Sequence, residues 1–532
     1  MTAGVARTLA VAITDVRARL RRPASAWLLV ALALAAYFTV PPASGSYGLF
    51  VIDGARARYT SEALAFATAT LLPIFLGFFG FYVVSRALGH DAATNVGPLV
   101  ATTRVGRVEY LGGKLLGSTI VLSAVTAGFL VCILGMHLVR GEGPLLPQVY
   151  ASYYLVIGGP CIVGVAAFAL FFECVPGLRG RGGDVAYFFV WSTTMGLALE
   201  PWKGQPSADP GIGRLLDYGG VGFAVAQTIR LTGSPTFSIG YAPHELTKPP
   251  IDFPGLAFTP AALAWRAESL LLPLLLMLGA VALFHRFDPA RVRAGVALGR
   301  RSPLALAHAL ARPLTRGLLA LVDRLDLASL GPSPLRSVAA ELLLTARLNP
   351  LFALAPVLAT ALALVLPASL LRAAALPALV ALLVPVLADL PTREKEAGVS
   401  GIVYTTPGLR RHLVPLKLAT AAAVALLVTG VPALRLLLVQ PGAGVSLLLG
   451  SLLLAASCVL LGIVSSSPKP FVALALAFWY VALNAGAAVP ALDFAGWSAA
   501  ATPTVQIGYA LIVAFATALA LAVGRLQSAL AD

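Results

Sequence analysis

The chain has 532 residues, 58% of them apolar and 11% charged, with a mean hydropathy of +0.87. That composition excludes a compact soluble enzyme and describes a polytopic membrane protein. A formal charge of +15 could suit nucleic acid, but a basic excess in a membrane chain belongs first to its cytoplasmic loops.

At the N-terminus Val5, Leu9, Ile13, Val16 and Leu20 recur at helical spacing, while Arg17, Arg19, Arg21 and Arg22 crowd the end before Pro23. This predicts an amphipathic helix lying in the membrane interface. A signal peptide also begins basic and then turns apolar, but here the basic stretch is itself amphipathic and Ala24–Val40 carries no convincing cleavage site. Spans are predicted near Ala24–Val40, Thr60–Ser85, Leu115–Val139, Tyr150–Phe172, Val185–Leu199 and Ala267–His285, since a crossing takes about 20 mostly apolar residues. Between the fifth and sixth lies a large outer loop, 200–266, in which aromatic residues such as Trp202, Tyr218, Phe223 and Trp265 interleave with Gly and Pro and suit a membrane interface. These elements make a first membrane domain, 1–285.

An amphipathic linker, 286–332, rich in Arg, should lie on the cytoplasmic face against anionic lipid. A second membrane domain, 333–532, follows, with spans near Leu351–Leu366, Ala375–Leu390, Leu418–Leu438, Ser446–Val464, Phe471–Val489 and Pro503–Val523. The expected fold is therefore all-α, with about twelve transmembrane helices arranged as six plus six. With both termini cytoplasmic, most of the 38 Lys and Arg fall inside, as the positive-inside rule requires of a protein of the cytoplasmic membrane. Prolines within the spans, such as Pro73 and Pro385, are candidate kinks.

The segment Asp91–Lys114, DAATNVGPLVATTRVGRVEYLGGK, aligns without gaps to Glu394–Lys417, EKEAGVSGIVYTTPGLRRHLVPLK, each between the second and third spans of its half. Identical pairs are Val96/Val399, Val100/Val403, Thr102/Thr405, Thr103/Thr406, Arg107/Arg410 and Lys114/Lys417. Arg19-Leu20 before Pro23 is echoed by Arg347-Leu348 before Pro350. Matching span counts and a matching internal segment point to duplication. In both copies an acidic start, apolar spacing of three to four, a Thr-Thr pair and a basic end describe a short amphipathic helix. The bland reading, a topogenic loop that collects Arg and Lys, accounts for Arg107 and Lys114 but not for the repeated Thr-Thr.

On these residues the chain resembles the type-2 ABC-exporter permease family. The resemblance rests on Arg393-Glu394-Lys395-Glu396-Ala397-Gly398, Thr406-Pro407, Arg410 and Lys417 in the second half, and on Thr103, Arg107 and Gly113-Lys114 in the first. The first copy departs from the pattern at His90, Asp91 and Arg104, and the second at Pro415-Leu416. The resemblance implies a coupling helix in each half that docks on a separate cytosolic ABC ATPase, in two copies, with ATP and Mg held by that partner. The implied coupling residues are Asp91, Arg107 and Lys114, with Glu394, Glu396, Arg410 and Lys417.

The chain itself carries no nucleotide cradle: Gly113-Lys114 is followed by Leu115 and lacks the upstream glycine of a P-loop. No HExxH, GxSxG turn or clustered His and Cys ligands occur, so neither catalysis nor a metal or cofactor is expected in this chain. The four cysteines lie in or beside apolar runs without a CxxC pair. His137 reads as a satisfied interfacial residue. Glu62, Glu173, Asp389 and Arg435 stand at or near span ends, where interfacial water or snorkelling serves them. Two other functions remain open: a secondary carrier of six-plus-six layout, whose loop signature is absent, and a polyprenyl-dependent glycosyltransferase using Asp53.

Overall fold

The computed structural model describes residues 3–20, 24–94, 96–175, 178, 181–199, 211–285, 287, 317, 320, 333–399, 401–402, 409–487 and 489–529. They belong to two compact units, Met1–Gly299 and Arg300–Asp532. Each predicted span coincides with a helix, and eight helices among the described residues are long and apolar enough to cross a membrane. The chain is thus a helical polytopic membrane protein. Ala24–Thr39 and Lys469–Ala485 are shorter, and Phe352–Val365 is bent by 96° from the preceding helix Pro334–Leu348. Asn349-Pro350 makes that corner, because a proline cannot donate into the preceding turn. Nearly all of the linker 286–332 lies outside the described residues, as do Trp202 and the 403–408 stretch that holds Thr405, Thr406 and Pro407.

In the first unit the N-terminal helix, Ala3–Leu20, lies along the long helix Arg107–Arg140. Two glycines allow the close approach. A Cβ on Gly113 would stand 2.6 Å from Val11 Cβ and 2.8 Å from the Thr8 carbonyl oxygen, and one on Gly117 would stand 3.2 Å from the Ala12 carbonyl oxygen. Small residues four apart let helix backbones meet in this way.

A small sheet accompanies the helices of the expected all-α membrane fold. The first unit carries a three-stranded antiparallel sheet, ordered β2-β1-β3, from β1 (Tyr47–Ile52), β2 (Ala55–Arg56) and β3 (Phe237–Pro243). β1 is built of aromatic and β-branched residues, and Asp53-Gly54 turns it back on β2 with φ of 49° and 79°. Two consecutive positive φ values are what a tight two-residue hairpin requires. β3 comes from the outer loop, more than a hundred residues downstream, so hydropathy alone could not announce the pairing. Arg56 and Glu142 pair bidentately beside it, at 2.5 and 2.9 Å, and Glu142 also accepts the Tyr59 amide at 2.9 Å. Arg56 thereby holds the Glu142 carboxyl below the usual carboxylate range.

Two spans of this unit contain π turns, Leu76–Gly80 and Tyr154–Gly158. Such turns displace backbone carbonyls from the helical ladder, and buried side chains supply the donors. Tyr187 donates to the Gly77 carbonyl at 2.6 Å. Arg266, 3% exposed, donates to the carbonyls of Val156 at 3.1 Å and Ile157 at 3.2 Å, and also to those of Asp217 and Tyr218. Asp217 meanwhile accepts the Gly222 and Phe223 amides at the start of the helix Val221–Thr232. The outer loop is therefore pinned to the fourth span.

The second unit is more aliphatic. Leu409–Val439 packs on Pro441–Ser465, which packs in turn on Pro503–Ala529, and Pro334–Leu348 lies against the first of these. Trp479 donates to the Pro377 carbonyl at 2.8 Å and ties Lys469–Ala485 to the second span of this unit.

Candidate functional site

In each unit the segment between the second and third spans is bound to the amphipathic helix that opens the unit, and a buried lysine stands at the junction. In the first unit this is Lys114, 5% exposed. Its Nζ lies 2.9 Å from Asp15 Oδ1 on the N-terminal helix and 2.8 Å from Asp91 Oδ2 on the helix Ala87–Ala93. Tyr110 donates to the same Asp91 oxygen at 2.5 Å, and Arg19 stands 2.9 Å from Asp15 Oδ2. A charge this deeply buried is tolerable only when paired and hydrogen-bonded.

The start of Ala87–Ala93 is fixed separately. Glu173, at the end of the helix Gly159–Cys174, accepts the amides of Ala87, Leu88 and Gly89 at 2.8, 2.8 and 2.9 Å. A carboxylate at a helix N-terminus satisfies otherwise orphaned donors and meets the positive end of the dipole. Beneath it Ala87, Leu88, Tyr110, Leu111, Leu170 and Phe284 pack as one buried cluster. Outside it, Arg7 and Glu109 pair bidentately at 2.9 and 2.6 Å while Glu109 accepts the Gly106 amide, which caps Arg107–Arg140.

The second unit repeats the arrangement with other residues. Lys417, 3% exposed, lies 3.3 Å from both carboxylate oxygens of Glu341 on Pro334–Leu348 and pairs with Glu394. Arg393 joins Glu341 at 3.3 Å, Asp389 at 3.2 Å and the Thr345 hydroxyl at 3.1 Å. The gapless alignment puts Leu416 and Thr420 where the first unit has Gly113 and Gly117. Bulkier side chains hold an opposing helix farther away, and the acid here is a glutamate, one methylene longer than Asp15.

Four of the seven expected coupling residues are thus internal. Lys114 and Lys417 are buried, and the side chains of Asp91 and Glu394 are 14% and 19% exposed and turned onto those lysines. Their charges have partners within each unit, Asp15 and Asp91 on Lys114 and Glu341 and Glu394 on Lys417. Arg107 and Glu396 are exposed, and the side chain of Arg410 lies outside the described residues. Apolar side chains take the surface instead. Val96 and Leu99 are 39% and 66% exposed, and their aligned counterparts Val399 and Ile402 are 39% and 71% exposed.

Asp15 and Glu341 escaped the sequence reading, and Glu173, read there as a span-end residue served by water, instead accepts three backbone amides. The available signal was that Asp15 and Glu341 are each the lone acid of an otherwise basic amphipathic helix. His137 is buried and satisfied, with Nδ1 2.8 Å from the Tyr150 hydroxyl and Nε2 3.1 Å from the Gly143 carbonyl. Asp53 sits in the hairpin turn and accepts the Ser234 hydroxyl at 2.6 Å, a structural role at an exposed loop. Among the described residues no group of His, Cys, Asp and Glu could hold a metal ion. The chain matches no family model, no curated protein and no solved structure.

Proposed function

We propose that this chain is the permease subunit of an ATP-binding-cassette exporter. In this reading two duplicated six-span halves lie in the cytoplasmic membrane with both termini in the cytoplasm. A separate cytosolic ATPase, in two copies, binds ATP and Mg and drives the transport cycle, and this chain hydrolyses nothing itself. The observation that carries the reading is the repeated exposure of one apolar pair, Val96 with Leu99 and Val399 with Ile402, on aligned short segments. Two apolar side chains three residues apart on a helical turn suit a groove on a protein partner.

The buried lysines give such a dock mechanical consequence. A push on the segment reaches the root of the third span through Lys114 or Lys417, and reaches the amphipathic helix through Asp15 or Glu341. Closure of the ATPase pair would bring both segments together and rock the halves. The dock itself would be apolar, with Arg107 and Glu396 as charged rim.

The test uses the full chain expressed in its native membrane and extracted in mild detergent. An ATPase should co-purify with the wild type and be lost from the double variant Leu99→Asp with Ile402→Asp, which should insert and unfold as the wild type does. Unchanged association in that variant would end this account of the dock. Transport that persists in ATP-free vesicles would assign the chain to secondary carriers instead.

A further inference from the structure

At the end of the second unit away from Lys417, the loop between Lys469–Ala485 and Pro503–Ala529 is fixed by two contacts. Gly496, at φ 70°, lies where a Cβ would meet the Ala443 carbonyl oxygen at 2.5 Å, so the loop sits on the start of Pro441–Ser465. Asp493 turns into the loop and accepts the Ser498 and Ala500 amides at 3.3 and 2.9 Å, one on each carboxylate oxygen. Trp497 is thereby held 6% exposed, its ring 5.2 Å from that of Phe494 and 6.2 Å from that of Trp479. Yet its indole Nε1 has no partner among the described residues, and neither has the adjoining Ser498 Oγ.

Arg372 reaches the same loop. It stands half-buried in the π turn Leu371–Ala375, at the opening of the span Ala368–Asp389. Its Nη1 donates to the Trp497 carbonyl at 3.4 Å, a long hydrogen bond, while its Nε is buried and unpartnered. Among the described residues no carboxylate pairs with it. Arg435, the other cation at this end, is held on the Ala363 carbonyl.

Indole and guanidinium N–H groups donate and cannot accept, so an acceptor completes this cluster. Water can serve an indole or a hydroxyl but does not neutralise a guanidinium, and a buried donor left unpaired carries its full desolvation cost, more so when charged. The planar edge of an arginine matches two oxygens of a phosphate. Leu364, Val365 and Leu370, flanking Arg372 in sequence, expose apolar side chains that acyl chains would cover and a soluble anion would not use. Span ends lie at the depth of lipid headgroups, where tryptophan also gathers. Because Asp493 is turned inward, no free carboxylate is left to take up a headgroup ammonium.

We infer that Arg372, Trp497 and Ser498 bind the phosphate of an anionic phospholipid, of the phosphatidylglycerol kind, with the guanidinium edge, the indole N–H and the hydroxyl as donors. The inference concerns this chain alone and stands whether or not an ATPase is the partner.

The experiment measures lipid retention by native mass spectrometry on the delipidated full chain, offered phosphatidylglycerol and phosphatidylcholine of identical acyl composition. Phosphatidylglycerol should bind about tenfold more tightly. Arg372→Gln should lower its affinity about tenfold or more, and Trp497→Phe, which keeps a ring and every charge, about tenfold, as one hydrogen bond to a charged group implies. Trp497→Phe decides the matter if Arg372→Gln fails to fold. Lys248→Gln, which removes a cation from the outer loop of the first unit, should change nothing. Equal retention of the two lipids, unchanged phosphatidylglycerol affinity in either site variant, or an equal loss in Lys248→Gln overturns the proposal. Inorganic phosphate and glycerophosphoglycerol, which carry the oxyanion without chains, should displace little of the lipid. If either binds as tightly as the lipid, the site serves a soluble anion and the lipid assignment falls.

Discussion

Replacing Lys114 by methionine tests the buried anchor directly. The change keeps the length of the side chain but removes an ammonium that is 5% exposed and lies within 2.9 Å of two carboxylates. Asp15 retains Arg19 at 2.9 Å, whereas Asp91 keeps, among the described residues, the Tyr110 hydroxyl at 2.5 Å. Breaking a buried ion pair from one side costs about 3–5 kcal/mol, and the residual partners place this case near about 3 kcal/mol. At roughly 2–4 °C per kcal/mol for a domain of this size, Tm should fall by on the order of 10 °C. The assay is thermal unfolding of the purified chain in detergent, followed by tryptophan fluorescence. The double variant Lys114→Met with Asp91→Asn should recover much of the loss, because it removes the orphaned charge. A single variant within about 0.5 kcal/mol of the wild type, the range of ordinary surface changes, would refute the anchor. So would a double variant no more stable than the single one.

Gly113→Val should lower stability by about 1–3 kcal/mol, since its Cβ would meet Val11 Cβ at 2.6 Å; protease protection of the N-terminal helix reads the undocking. Arg56 holds the Glu142 carboxyl below its usual range, so the pair contributes stability above the ordinary glutamate pKa of about 4.3 and loses it as pH falls through the lower folded value. The Tm gap between wild type and Glu142→Gln should therefore close on acidification, and a constant gap would refute the pairing. In a background without the native cysteines, Leu246→Cys should be labelled by an impermeant thiol reagent in sealed cells and Ile402→Cys should not, both sites being exposed at 68% and 71%; equal labelling would refute the proposed topology. The anchor also changes how charge reversal at Glu394 would read. Because Glu394 is held on Lys417, Glu394→Lys would place two cations together inside the unit and report on folding as much as on docking.

Hydropathy by itself located the apolar helices, because the cost of placing polar groups in hydrocarbon is paid residue by residue and leaves a one-dimensional trace. The amphipathic opening at Ala3–Leu20 was legible for the same reason, as a periodicity of 3.6. The likeness of the two aligned segments was also legible, in pairs such as Val96/Val399 and Lys114/Lys417. What each of those residues does was decided only by tertiary structure. A lysine near a span end looks the same in sequence whether it meets water or is buried, and the difference lies in Asp15 and Asp91, 99 and 23 positions away from Lys114, arriving on other helices. The short sheet was hidden likewise, because β1 pairs with a strand from the outer loop, Ile52 opposite Phe237, across the four predicted spans that lie between them in sequence. Sequence recorded which side chains avoid water, a local property; which charges neutralise one another, and which apolar pair is left on the surface, depended on helices packing at distances that no sequence window spans.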